Sequence, residues 1–432
     1  MTASTTSIVP TPALSAHSAD QYRHRWKILG IGVLANASFS AAFAGIPVTA
    51  IFMRSDYRLD NTQLGLVLGA LGLGVALSEL PWGVLTDRWG DRRVLLCGLF
   101  ATALALVALA LWGVPSAAGV PPMWLLAAGL LLVGLLGGSV NGASGRAVMG
   151  WFREGERGMA MSIRQTAVPL GGGIGAVLLP PLAVAHGFAS VFGLLALFCA
   201  FSGALAWRWL HEPSALSASA AAVSTASSAL RDIGVWRVAL ATGILCFPQV
   251  SVLTFAAIFL HDAGHASLML ISSSMAAIQI GAALMRIWSG RWTDRHGNRR
   301  SYLRTCSLLS AMLYAGLAAL VATASGVAVN GSWPQWMLPL IVLLLVTAAI
   351  CASAWHGVAY TELATLAGAS QVGTALGLGN TCVFLVFFLA AQAVPLLLKW
   401  QSWPAVWLAG AMAALLAWQI FLRPEKPRSE VC

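Results

Sequence analysis

The chain has 432 residues, 58% of them hydrophobic and only 9% charged. Water-soluble globular proteins carry roughly 25% charged residues, which excludes water as the main solvent of the folded chain. The formal net charge of +10 would suit nucleic acid, but the basic residues sit in short clusters between apolar runs. That is the distribution of loops on an anionic membrane face, so the partner expected is a lipid bilayer and not nucleic acid.

In chain order, residues 1–26 are polar and lack the basic-then-apolar pattern of a cleaved signal, so they read as a disordered cytoplasmic tail. About 20 apolar residues cross a bilayer as a helix. Runs of that length fall at about 27–52, 64–86, 94–114, 122–150, 160–184 and 189–209. A Ser/Ala-rich stretch over 210–235 reads as a cytoplasmic linker. Six more runs follow, at about 236–260, 268–290, 302–326, 335–360, 373–398 and 404–422, then a short cytoplasmic tail at 423–432. The reading is an all-α membrane protein with twelve transmembrane helices in two pseudo-symmetric bundles of six, 27–209 and 236–422.

Orientation follows from lysine and arginine in the loops. With the N-terminus inside, the outer loops hold only Arg54, Arg58 and Lys399, and nearly all other basic residues lie on the inner side. Both termini are assigned to the cytoplasm. The seven cysteines show no metal-like spacing, and no disulfide, metal or other cofactor is expected.

The peptide Gly83-Val-Leu-Thr-Asp87-Arg88-Trp-Gly90-Asp-Arg92-Arg93 recurs 207 positions later as Gly290-Arg-Trp-Thr-Asp294-Arg295-His-Gly297-Asn-Arg299-Arg300. Thr49-Ala-Ile-Phe-Met53 and Ala256-Ala-Ile-Phe-Leu260 lie the same distance apart. A fainter echo links Gly158 to Thr166 with Gly373 to Thr381. Paired six-helix halves are a transporter design with the cargo held near the midplane between them.

On these residues the chain resembles the major facilitator superfamily over essentially its whole length beyond the tail. The first hairpin fits that superfamily's loop motif at Gly83, Leu85, Asp87, Arg88, Gly90, Arg92 and Arg93, with Asp91 where a basic residue is usual. The second copy keeps Gly290, Asp294, Arg295, Gly297, Arg299 and Arg300, with Trp292 in place of the leucine. The resemblance implies alternating access by rocking of the halves. It also implies that the motif aspartate lies near the start of the eleventh helix and that its arginines tie helix ends together. Asp87 and Asp294 would then close the inner side, since a carboxylate favours a positive helix terminus. The bland alternative is that the arginines merely anchor topology.

Glu79 lies eight residues before Asp87, roughly 12 Å up a helix, and Arg286 lies eight before Asp294. An acid and a base thus hold matching positions deep in the hydrocarbon, where ionisable groups are costly and usually functional. Arg286 would bind an anionic group as a charged fork, and Glu79 would carry the coupling proton. The alternatives are a permanent Glu79–Arg286 latch, or separate pairing of each with helix backbone. The Arg286 position resembles substrate-binding arginines of nitrate porters and monocarboxylate transporters. Nitrate porters have a second arginine where this chain has Glu79, and the monocarboxylate pattern has an aspartate at the place of Ala282.

Arg164 lies deep in the fifth run, with Gln165 and Asn380 as matched polar residues beside it and opposite it. Arg146 near the inner end of the fourth run is expected to snorkel to the interface. Softer candidates for lining the path are Asn36, Gln249, Gln279, His356 and Tyr360, each of which could instead bond a neighbouring helix. Trp82, Trp288 and Trp355 are placed to approach a cavity. No nucleophile stands beside a base and no phosphate-binding loop follows a strand, so the chain does not read as an enzyme. The reading is a monomeric secondary transporter of a bacterial inner membrane, moving a small carboxylate-type anion with protons. The alternative is a proton-driven efflux antiporter for lipophilic cations or drugs, for which Pro169-Leu-Gly-Gly172-Gly173 offers a partial motif.

Overall fold

The computed structural model describes residues 16–116, 119–211, 229–328, 333–334, 336–400 and 402–422. Fifteen α-helices account for nearly all of them. In the first part of the chain these are α1 (Ala16–Val48), α2 (Ala50–Asp56), α3 (Asn61–Trp89), α4 (Asp91–Trp112), α5 (Met123–Gly137), α6 (Ser139–Trp151), α7 (Arg157–Gln165) and α8 (Ala167–Trp209). The second part holds α9 (Ile233–Asp262), α10 (Leu268–His296), α11 (Arg299–Gly326), α12 (Met337–Ala352), α13 (His356–Ala367), α14 (Val372–Trp400) and α15 (Trp403–Leu422).

Local chemistry sets several of the boundaries. Asp60 and Gln63 form a reciprocal capping box at the start of α3, with bonds of 2.8 and 3.0 Å. Gly90 (φ 87°) and Gly297 (φ 63°) make the tight links from α3 to α4 and from α10 to α11. Left-handed backbone of this kind is open to glycine at little cost, which explains the second glycine of each motif copy.

Among the described residues eleven helical stretches are long and apolar enough to cross a membrane, against the twelve runs expected. The difference lies at Arg157–Trp209, a single stretch of 53 residues. At 1.5 Å per residue it would be about 80 Å long if straight, more than twice a hydrocarbon core of about 30 Å. It is not straight. Gly187 has φ 72° and ψ −179°, a non-helical point inside α8. Gly171 lies against the carbonyl of Ala37, while the Ser202 hydroxyl bonds that of Ser38 at 2.6 Å. Residues on either side of Gly187 thus meet adjacent residues of α1, so α8 folds back on itself there.

The expected tail is shorter than 1–26, because α1 already begins at Ala16. Residues 16–26 contain neither Gly nor Pro, so nothing in them stops the helix of the first run from continuing. Residues 1–15, 212–228 and 423–432, which carry the rest of the expected tails and linker, lie outside the described residues. Within the expected linker Ala229–Arg231 form a 3₁₀ turn, and Asp232 then caps α9, which takes in the linker's last three residues, by accepting from the Gly234 N–H at 2.7 Å.

One apolar cluster draws on residues from Ile28 to Leu210, and two others draw on Val235 to Phe421 with Met149 and Met161 added. The early and late parts of the chain meet along two seams, α3 against α14 and α7 against α10. The leading motif glycines sit in these seams. A side chain at Gly83 would overlap the main chain of Gly373 and Gly377, and one at Gly290 would overlap Gly158. Small residues allow this backbone approach where no hydrophobic drive separates helix from lipid.

Candidate functional site

The first four N–H groups of a helix have no intrahelical acceptor and carry partial positive charge. Two such ends, those of α14 and α7, face the motif loops. Asp87 accepts from the Gly373 N–H at 2.8 Å and from both the N–H and the hydroxyl of Thr374 at 2.6 Å. Asp294 accepts from the N–H groups of Gly158 (3.0 Å) and Met159 (2.8 Å). Each aspartate therefore closes the motif-loop end of one seam.

The arginines divide. Arg146 does not snorkel; it is buried, 3.5 Å from both Asp87 and Asp91. Asp91, the departure from the motif, shares with Asp87 in holding it there. Arg299 lies 3.5 Å from Asp294 and bonds Thr365, and Arg300 bonds Glu362 at 2.7 Å. Arg92 reaches the Trp207 carbonyl at 3.1 Å. Arg88, Arg93 and Arg295 are exposed, so the expected tie between helix ends rests on the other members.

Deeper in the seams, Glu79 is fully buried. Its Oε1 accepts from Asn141 Nδ2 at 2.5 Å and its Oε2 from Asn380 Nδ2 at 3.2 Å. The Asn380 carbonyl oxygen in turn accepts from the Tyr360 hydroxyl at 2.5 Å. Arg164, also buried, donates to the Asn141 carbonyl at 2.7 Å and to the Ser144 hydroxyl at 2.8 and 2.9 Å.

Arg286 donates to two main-chain carbonyls, Gln165 at 2.8 Å and Ser353 at 3.1 Å. Both acceptors sit where a membrane helix is broken. α7 ends at Gln165 and α8 starts at Ala167, while α12 ends at Ala352 and α13 starts at His356. Breaks free carbonyls that an intact helix would use internally, and inside a membrane they are tolerated where protein or a water-lined space covers them.

The Glu79–Arg286 latch, weighed as an alternative, is not present. Among the described residues neither has an ion-pair partner within 4.0 Å. Separate pairing with helix backbone is found for Arg286 alone, while Glu79 pairs with side-chain amides. The charge that acts on Glu79 through space is Arg164.

His356 stacks on Trp355 at 3.7 Å and points Nδ1 at the Ser353 carbonyl, so it shares an acceptor with Arg286. Asn36 and Gln249 are buried with Asn36 Nδ2 and Gln249 Oε1 unbonded, and no bond joins them to the central group. Gln279 is exposed. By helix pitch Gln279, Arg286 and Gly290 lie within about 40° of one another on α10. Gly290 and Arg286 are covered by α7 while Gln279 is not, so this face opens away from the motif loops. Trp82 bonds the Leu135 carbonyl at 2.7 Å, and Trp355 is fully buried. Trp288 is exposed and stacked on Trp292, away from the centre.

Four participants escaped the sequence: Asn141, Ser144, Ser353 and Glu362. Asn141 and Ser144, three apart on one helix face, carried a legible signal. Ser353 acts through its backbone and carried none.

A sequence model described as the Major Facilitator Superfamily matches residues 29–331 and 238–431. An uncharacterized MFS-type transporter of Mycobacterium tuberculosis is 29% identical over 387 residues, covering 89% of this chain and 81% of the relative. The hexuronate transporter of Bacillus subtilis is 24% identical over 169 residues, 39% of this chain and 38% of that protein. Among solved structures, the proton:xylose symporter XylE with bound 6-bromo-6-deoxy-D-glucose has a TM-score of 0.74 at 15% identity. It covers 92% of this chain and 95% of the symporter, a likeness of fold.

Proposed function

The chain belongs to the major facilitator superfamily and is an integral membrane transporter, not an enzyme, and from that premise we propose that it moves a small organic anion coupled to protons. One observation carries the reading. Arg164 and Arg286 are both buried, and every hydrogen-bond acceptor they have among the described residues is a neutral oxygen. A buried guanidinium without a counter-charge is costly, and the one carboxylate near them among the described residues, Glu79, offsets one positive charge of two. A carboxylate cargo supplies the missing charge. The partial likeness to a hexuronate transporter speaks for the same class.

In this scheme Arg286 and Arg164 bind the carboxylate, and Gln279, Gln249, Asn36 and His356 are the polar groups for the rest of the molecule. Proton binding at Glu79 raises the positive charge of the centre and so favours the anion. The cytoplasmic face is the one bearing both termini and the motif loops, in a bacterial inner membrane, with two six-helix halves and twelve crossings once α8 is divided at Gly187. With Asp87 and Asp294 both engaged, the conformation is closed inward and open outward.

The test is uptake of labelled D-glucuronate into proteoliposomes with the inside alkaline. Accumulation that Arg286→Gln abolishes supports the reading. Absence of carboxylate uptake, with movement of a lipophilic cation instead, overturns it.

A further inference from the structure

The hydrogen bonds around Glu79 have a direction. Both carboxylate oxygens accept, one from Asn141 and one from Asn380, an arrangement that suits the ionised form. Because Asn380 turns its Nδ2 toward Glu79, its oxygen is left to accept from Tyr360. The Tyr360 hydroxyl proton is thereby occupied.

Protonation disturbs one end of this line. The Asn141 bond at 2.5 Å is the shorter, and the Asn380 bond at 3.2 Å the longer, so Oε2 is the oxygen less satisfied and the one that takes the proton. An O–H on Oε2 then faces an N–H, donor against donor. Rotating the Asn380 amide by a half turn removes the conflict. Oε2–H then donates to Oδ1, and Nδ2–H donates to the Tyr360 oxygen. Every group remains bonded except the Tyr360 proton, which becomes free to donate elsewhere.

Resting on the anion reading above, we propose that Tyr360 is a cargo-binding donor released by protonation of Glu79, with Asn380 as the positioning residue between them. The surroundings agree. Arg164 of α7 acts on both Glu79 and Tyr360, and Arg286 of α10 and Cys246 of α9 also act on Tyr360, while His356 lies one turn before it on α13. An anion seated on the two guanidiniums is where the freed hydroxyl would point. The proton and the cargo are thus linked by hydrogen bonds, without contact between Glu79 and the cargo.

The first test needs no cargo. Infrared difference spectra of the full-length protein in lipid nanodiscs, titrated with acid, contain a carboxylic C=O band that Glu79→Gln removes. In Tyr360→Phe the Asn380 amide is no longer pinned, and the band appears at higher pH by about one unit. An unmoved midpoint overturns the relay. The second test measures D-glucuronate affinity across pH. On acidification the affinity of wild type gains about tenfold more than that of Tyr360→Phe, as one charge-assisted hydrogen bond allows, and the variant keeps only the gain from the neutralised Glu79 charge. Asn380→Leu loses the same part of the pH dependence and serves if the phenylalanine variant does not fold. A pH dependence as large as that of wild type in either variant sinks the relay. A wild type that ignores D-glucuronate counts against the transport reading, while the infrared shift still decides the relay.

Discussion

Glu79 and Arg286 hold matching positions in the two sequence repeats, and each bonds across to the opposite half of the chain. Glu79 reaches Asn380 on α14, and Arg286 reaches the Gln165 carbonyl at the end of α7. The acid and the base are therefore two separate cross-braces, one in each seam, and loading or protonating either one alters how the halves hold together.

Replacing Arg286 by Gln removes the charged fork. Losing a buried charged partner costs about 2–5 kcal/mol, or roughly 30-fold or more in affinity. Calorimetric binding of D-glucuronate to the purified variant checks this. Arg286→Lys is expected to fall between the two, because one ammonium replaces the planar fork poorly.

Glu79→Gln is expected to lose uptake driven by an inward acid gradient yet keep cargo-for-cargo exchange. Uptake by the wild type rises as the outside is acidified, while the glutamine variant shows no such dependence. Exchange measured in preloaded vesicles separates the two steps. Unchanged pH coupling in the variant would remove Glu79 from the proton path.

Asp87→Asn keeps the shape but removes the charge that holds the α14 terminus. Weakening charge-assisted bonds by about 1.5 kcal/mol shifts a two-state balance roughly tenfold. Spin labels at exposed Arg208 and Ser301, on a cysteine-free background, would report a new long-distance population. Asp294→Asn should act likewise on the other seam.

Gly83→Ala places a methyl group on the main chain of Gly373, whereas Gly69→Ala on the same helix meets nothing within 4 Å. Overpacking of this kind costs about 1–3 kcal/mol. Thermal unfolding in detergent should fall for the first substitution and hold for the second.

Much of this was visible in the chain. Apolar length marked the helical stretches long enough to cross a membrane, eleven among the described residues, and the recurrence of Gly83–Arg93 at Gly290–Arg300 located the two seams. Depth along a helix singled out Glu79, Arg164 and Arg286. The pairing of these three was not legible, because it depends on which helices meet rather than on spacing within one. The breaks after Gln165 and Ala352 carry no proline or glycine at the break itself, so the carbonyls that seat Arg286 had no mark in the sequence. Arg146 misled for a related reason: its partner Asp91 looked like a lapse in a motif.

The acceptors of Arg286 belong to the peptide backbone, and that makes its seat independent of side-chain identity. Substitutions at positions 165 and 353 can change what lines the path without evicting the guanidinium, provided the helix still stops there. A carrier built in this manner is free to drift in selectivity while keeping its anchor, so relatives with unlike cargo can share the same charged centre.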